Sequence, residues 1–221
     1  MIQGASCVVL AGGASRRMGR DKAQVKLGGR TLLERVLATV TPLFDDVMVS
    51  GRQEKVCPET VRFVRDRLAG RGPAIGLCAA MEEAWYPYLF AIACDMPFVS
   101  ARLIEHLALF RHGYDVVVPV HDGRPEPLCA MYSTARIKQL AQRVERGERG
   151  LISFIEQAPG LRVRRIDEQE LNCTGRAVHA FLDIDSAEAL AEAEKMIGKW
   201  NQGSASCTDQ SQHQTDAQCK T

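Results

Sequence analysis

Residues 6–22, SCVVLAGGASRRMGRDK, decide the reading of this chain. Ser6–Leu10 is a short apolar run of the kind that forms a buried strand, and it stops at Ala11-Gly12-Gly13. A strand that opens into consecutive glycines brings bare backbone N–H groups against phosphate oxygens, because glycine tolerates unusual dihedrals and lets a ligand approach the main chain. The two commonest loops of this kind do not fit. A P-loop needs four residues between its glycines and then Gly-Lys-Ser/Thr, whereas Gly13 and Gly19 are one residue too far apart and Arg20 follows. A dinucleotide-binding fingerprint needs Gly-x-Gly-x-x-Gly running straight into a helix, and that is absent too. What remains is a long basic loop. Arg16, Arg17, Arg20, Lys22, Lys26 and Arg30 stand against the single acid Asp21, a charge arrangement suited to a triphosphate.

Outward from this loop, short β-rich runs alternate with helical patterns, which predicts a doubly wound α/β fold with a mostly parallel sheet and a Rossmann-like half. Thr31-Leu-Leu-Glu34 has capping-box spacing ahead of Leu33, Val36, Leu37 and Val40. Asp46–Ser50 and Val61–Val64 read as strands, and Pro73 opens a helix to about Trp85. Leu89–Cys94 (LFAIAC) is the most apolar strand and is expected at the sheet centre. Ser100 caps a helix to about Arg111, Asp115–Val120 is a strand, and His121–Arg124 a turn. Leu128–Tyr132 reads as a strand returning toward the sheet. Helices are expected over Thr134–Arg146 and Leu151–Gln157, a strand over Leu161–Ile166, and a last helix from Ser186 to about Trp200. Residues 1–200 therefore read as one domain. Residues 201–221 contain no Val, Ile, Leu, Phe, Met or other aromatic residue and read as a disordered polar tail.

Composition narrows the function classes. The chain has 221 residues, 28 Lys plus Arg against 27 Asp plus Glu, and a formal net charge of +1. No overall field directs it to nucleic acid or to a membrane surface. No apolar run approaches a membrane span and no cleavable leader is legible, so a cytoplasmic location is expected. The 8 cysteines include no Cys-x-x-Cys pair, and Cys7 and Cys94 lie in apolar runs, where a reduced thiol fills core space.

Two carboxylates follow strands. Asp95 comes directly after LFAIAC, with Met96-Pro97 stopping the strand, so it should face the crevice at the carboxyl ends of the sheet. Asp66 precedes a glycine-containing loop and could accept two hydrogen bonds from adjacent N–H groups or from hydroxyls of a ligand, or pair with Arg65 or Arg67. Glu126, His121 and His179 each read as surface or hydrogen-bonded residues, and no acid–base role is expected of them.

LAGGASRRMGRDK resembles the signature of the nucleotidyltransferases that activate sugars, alditols and pterins from nucleoside triphosphates. Within that group the chain is most similar to the molybdenum cofactor guanylyltransferases. The likeness extends through Asp66, Gly72-Pro-Ala-Ile-Gly76, Ala93-Cys-Asp-Met-Pro97 and Glu126-Pro-Leu-Cys-Ala-Met-Tyr132. It covers about residues 5–200. The resemblance implies GMP transfer from GTP to the terminal phosphate of molybdopterin, with release of pyrophosphate. It implies catalytic Lys22 and Asp95, and nucleotide contacts from Leu10, Ala11, Gly12, Gly13, Arg16, Lys22, Asp66 and Asp95. Asp95 would ligate Mg²⁺, with Mn²⁺ as the alternative. GTP and molybdopterin are the implied partners, and cofactor-supplying or molybdoenzyme-maturation proteins are further candidates. Three departures stand out. Ser50-Gly51-Arg52 replaces a usual Asn, Gly-Pro-Ala-Ile-Gly replaces Gly-Pro-Leu-Ala-Gly, and Asp183-Ile-Asp185 replaces Asn-Ile-Asn, where the aspartates could instead cap the final helix. Two other readings fit the same residues: a transferase using CTP with a pterin or a sugar or alditol phosphate, and a GTP-binding module without catalysis.

Overall fold

The alternation of apolar residues along the strands divides the core in two. In a computed structural model that describes residues 1–12, 21–68, 72–174 and 177–208, β1 (Ala5–Leu10) lies between β4 (Asp46–Gly51) and β6 (Tyr88–Ala93), parallel to both. Cys7 and Val9 of β1 and Phe90 and Ile92 of β6 face one core, while Val8, Leu10, Leu89 and Ala91 face the other, as period-two side chains must when a strand is covered on both sides. On the first face pack α1 (Leu32–Val40) and α3 (Ala101–Leu109), through Leu33, Val36, Leu37, Leu103 and Leu107. The second is covered by α2 (Pro73–Glu83), α4 (Ile137–Glu145) and α5 (Leu151–Gln157), through Ile75, Leu77, Leu140, Val144 and Phe154.

Beyond β4 the sheet ends at β5 (Val61–Arg65). Beyond β6 it continues through β9 (Cys129–Ser133) and β7 (Val116–His121) to β10 (Val163–Ile166), giving the order β10-β7-β9-β6-β1-β4-β5 among the described residues. β9 runs antiparallel to both of its neighbours, and the other members of this row run parallel. β8 (Arg124–Pro125) folds back on β7 through a turn in which Asp122 and Gly123 have φ of 49° and 71°. The doubly wound, mostly parallel reading is thus what the chain adopts, with LFAIAC at the sheet centre.

Local signals hold in detail. Thr31 and Glu34 form a full capping box at α1, with Glu34 N–H donating to Thr31 Oγ1 at 3.1 Å and Thr31 N–H to Glu34 Oε2 at 2.7 Å. Ser100 Oγ accepts the Leu103 N–H at 3.2 Å, and α5 spans the expected Leu151–Gln157. Smaller elements escaped the sequence: the hairpin of β2 (Lys26–Leu27) and β3 (Arg30–Thr31), and the short helices α6 (Glu168–Leu171) and α7 (Ala177–Ala180). α8 (Ala187–Thr208) runs past Trp200, through a polar stretch that contains no proline to break the backbone ladder. Residues 209–221, the rest of the expected tail, lie outside the described residues. The aspartates do not provide the cap seen at this helix: Ser186 Oγ accepts the Ala189 N–H at 3.1 Å. A third small core joins Val25, Leu27 and Leu32 to Ile184 and Ala193, tying the hairpin and α8 to the loop before that helix. Among the described residues no helix is long and apolar enough to cross a membrane.

Candidate active site

Sheet register brings the functional residues to one edge. Leu10 pairs with Ser50 on one side and Ala93 on the other, and Gly51 pairs with Arg65. The residues just past these positions, Gly12, Asp66 and Asp95, therefore emerge together at the carboxyl ends of the strands. Between them opens a cleft of about 410 Å³, lined among others by Leu10, Ala11, Gly12, Lys22, Asp66 and Asp95.

Lys22 reaches this cleft from a 3₁₀ turn, Lys22–Gln24, whose first N–H groups are capped by Asp21: its Oδ1 accepts the Ala23 N–H at 3.1 Å. The other oxygen of Asp21 binds Lys55, a largely buried lysine of the β4–β5 loop. Lys22 Nζ donates to Asp95 Oδ2 at 2.6 Å. Sequence reasoning named both residues but not their direct pairing, which joins positions 73 residues apart. Both side chains keep solvent access, 22% for Lys22 and 16% for Asp95, so a ligand can reach the pair.

On the opposite wall Asp66 is held by its N–H to the Gly51 carbonyl at 3.0 Å and by Ser50 Oγ, which donates to Asp66 Oδ1 at 3.2 Å. Burial pushes the Asp66 carboxyl upward, opposed by the Ser50 hydroxyl and the charge of Arg52. Neither arginine beside it competes for Asp66 as a salt-bridge partner: Arg67 instead pairs with Glu83 at 3.0 Å. Two glycines leave the room this carboxylate needs. A Cβ on Gly12 would lie 3.0 Å from Asp66 Oδ2, and one on Gly76 would lie 2.3 Å from Ser50 Oγ and 3.3 Å from Asp66 Oδ1. Ser50 was missed as a site residue, although its place at the end of a strand parallel to β1 could have marked it.

The start of the loop is fixed by the sheet. Ala11 donates its N–H to the Ser50 carbonyl at 2.9 Å, and the Leu10 carbonyl accepts the Cys94 N–H at 3.2 Å. Leu10 and Ala11 therefore form walls of the cleft, and the Ala11 N–H is already spent in the sheet. Gly13, Arg16 and Arg17 lie outside the described residues.

Beside Asp95 a second carboxylate, Asp183, is pushed up to about 7 by desolvation among neighbouring protein atoms and by the charges of Asp95 and Glu126, although the residue itself is exposed. The loop carrying it is pinned to the site by the Ile184 N–H, which donates to the Asp95 carbonyl at 3.0 Å. Oxygen donors with excess negative charge suit a hard divalent cation bound also by phosphate and water. The buried thiols are not part of this chemistry. Burial raises Cys94 and Cys78 to about 12, which keeps them protonated core residues. His121 lies 3.7 Å from Asp122 and 3.8 Å from Glu168, its two ring nitrogens facing different acids.

Residues 7–163 match the model of the MobA-like NTP transferase domain. The chain is 34% identical over 197 residues to a probable molybdenum cofactor guanylyltransferase of Pelotomaculum thermopropionicum, covering 89% of this chain and 94% of that protein. It is 33% identical over 193 residues to the molybdenum cofactor guanylyltransferase of Desulfosudis oleivorans, covering 86% and 94%. Among solved structures, it resembles molybdopterin-guanine dinucleotide biosynthesis protein A from Archaeoglobus fulgidus with a TM-score of 0.76 and 30% identity, over 88% of this chain and 99% of that one.

Proposed function

This chain belongs to the MobA-like NTP transferase family and is a nucleotidyltransferase, and we propose that it transfers GMP from GTP to the terminal phosphate of molybdopterin. The observation that carries this reading is the Lys22–Asp95 pair at 2.6 Å, set in a cleft whose other wall holds Asp66. In the reaction an oxygen of the acceptor phosphate forms a bond to the α-phosphorus of GTP. The bond from that phosphorus to the bridging oxygen breaks, and pyrophosphate leaves with the electron pair. No proton need be removed from the acceptor at neutral pH, so the site requires no general base.

Asp66 accepts hydrogen bonds from the N1–H and N2–H groups of guanine, its orientation set by Ser50. The N–H of Gly12 is offered to the triphosphate, where the absent side chain admits close approach. The Lys22 ammonium carries three donors, so it can keep its bond to Asp95 while binding a phosphoryl oxygen. Its charge offsets the negative charge that spreads over the transferring group. Asp95, with Asp183 nearby, would hold Mg²⁺ or Mn²⁺. When bound, that ion supplies Lewis-acid charge neutralisation at the phosphates. Holding nucleophile and leaving group in line provides the rest.

Direct competition between GTP and CTP at fixed Mg²⁺ tests the base assignment. GTP should be preferred by about ten-fold or more, the worth of a charge-assisted hydrogen-bond pair. A preference for CTP would overturn the guanylyl reading.

A further inference from the structure

Glu126 is an acidic group near the cleft that the reaction just described leaves unused. It lies in the turn between β8 and β9, and its main chain is fully engaged. Its N–H donates to the Pro119 carbonyl at 2.9 Å, and its carbonyl accepts the Cys129 N–H at 3.1 Å. Two residues on, the Leu128 carbonyl accepts the Ala93 N–H at 3.0 Å, and Leu128 lines the cleft. Glu126 is thus rigidly mounted alongside the segment that presents Asp95. Its side chain is half-buried, and among the described residues no donor is hydrogen-bonded to its carboxylate. A half-buried carboxylate keeps an accessible face, so a ligand that brings donors of its own can take the place of water there.

Strand order gives the position meaning. β9, which follows Glu126, and β5, which precedes Asp66, lie on opposite sides of β6 and its Asp95. The four strand spacings from β9 to β5 span about 19 Å. Two half-buried carboxylates therefore flank the Lys22–Asp95 pair, one on each side. Guanine and a pterin share the edge of a 2-aminopyrimidin-4-one ring, a ring N–H beside an exocyclic amine. The two oxygens of a carboxylate match that edge in both heterocycles.

We propose that Glu126 is the acceptor-recognition residue, its carboxylate accepting the N3–H and 2-amino hydrogens of the pterin, as Asp66 does for guanine across the cleft. The proposal rests on the reading of the acceptor as a pterin phosphate. Burial raises the Glu126 carboxyl, with His121 opposing and the charge of Asp122 adding to the rise. His121, tilted against Phe181 with ring centroids 5.0 Å apart, adds an aromatic surface next to it.

The test is a fluorescence titration of the full chain at pH 7 with 6-hydroxymethylpterin and with 6-hydroxymethyllumazine, which carries a 2-oxo group where the pterin carries the amine. The unaltered chain should bind the pterin about ten-fold or more tightly than the lumazine, because only the pterin satisfies both carboxylate oxygens. Glu126→Gln, whose amide N–H can donate to a 2-oxo group, should abolish or reverse that preference, and Glu126→Ala should abolish it. GTP affinity should stay within about two-fold in both variants, which also shows that they are folded. Equal binding of the two pteridines by the unaltered chain, or an undiminished pterin preference in Glu126→Gln, would overturn the assignment. In parallel, pyrophosphate release from GTP is followed with and without molybdopterin. Acceptor-dependent release alongside a failed pteridine test removes Glu126 alone, whereas release that ignores molybdopterin removes the proposed function itself.

Discussion

Replacing Gly76 by alanine drives a Cβ to 2.3 Å from Ser50 Oγ, far inside contact distance, so the serine must move. Moving it breaks the 3.2 Å bond that orients Asp66. Overpacking of this kind costs about 1–3 kcal/mol. Against it stands the gain of about 0.5–1 kcal/mol from removing a glycine inside a helix, since Gly76 lies within α2. A net loss of roughly 1–2 kcal/mol is expected in urea unfolding followed by circular dichroism. GTP affinity should fall about ten-fold, as for a misdirected charge-assisted hydrogen bond. The diagnostic experiment is the double variant Ser50→Ala with Gly76→Ala. Once the hydroxyl is gone, the nearest neighbours of the new Cβ are Leu10 Cδ2 at 3.1 Å and Asp66 Oδ1 at 3.3 Å, contacts that small shifts relieve. The two changes should therefore be strongly non-additive, with the double variant at least about 1 kcal/mol more stable than the sum of the singles predicts. Additivity within about 0.5 kcal/mol, or an unchanged GTP affinity in Gly76→Ala, refutes the claim that this glycine exists to make room for the Ser50–Asp66 pair.

Other perturbations separate the roles within the cleft. Lys22→Ala and Asp95→Asn should each slow pyrophosphate release by about 30- to 1000-fold, the worth of about 2–4 kcal/mol of preorganised charge stabilisation, and normal turnover in either would remove its role. Asp66→Asn should weaken GTP binding about ten-fold or more while leaving turnover at saturating GTP little changed, a split visible in KM against kcat. Asp183 gives a pH signature. Its carboxyl is raised in the folded chain to about 7, so the native state holds a proton that the unfolded state releases near pH 4. Stability should consequently decline as pH rises from about 4 to about 7, Asp183→Asn should remove that decline, and added Mg²⁺ should oppose it in the unsubstituted chain. A pH profile that is the same with and without Asp183→Asn contradicts this assignment.

Much of this architecture was readable because the signals are local. Capping-box spacing, the apolar run LFAIAC and glycine at the end of β1 each depend on neighbours in the chain. Asp95 and Asp66 could be placed at the crevice because parallel strands point their carboxyl ends the same way. The remainder depends on contacts between distant segments. The pairing of Lys22 with Asp95, the hold of Lys55 on Asp21 and the crowding of Asp183 against Asp95 join residues with no common periodicity. The two-residue strands of the Lys26–Thr31 hairpin are too short to show alternation, and they are held by the small core shared with Ile184 and Ala193. Ala11 lines the cleft, and the bond of its N–H to the Ser50 carbonyl joins separate strands and leaves no local signal.

The most direct measurement incubates the chain with GTP labelled at the α-phosphate, molybdopterin and Mg²⁺, and follows both label and pyrophosphate. The account predicts label in a pterin–guanine dinucleotide in one-to-one ratio with pyrophosphate, and neither product when molybdopterin is omitted. Binding of GTP without pyrophosphate release, or label transferred only to a sugar or alditol phosphate, would contradict it.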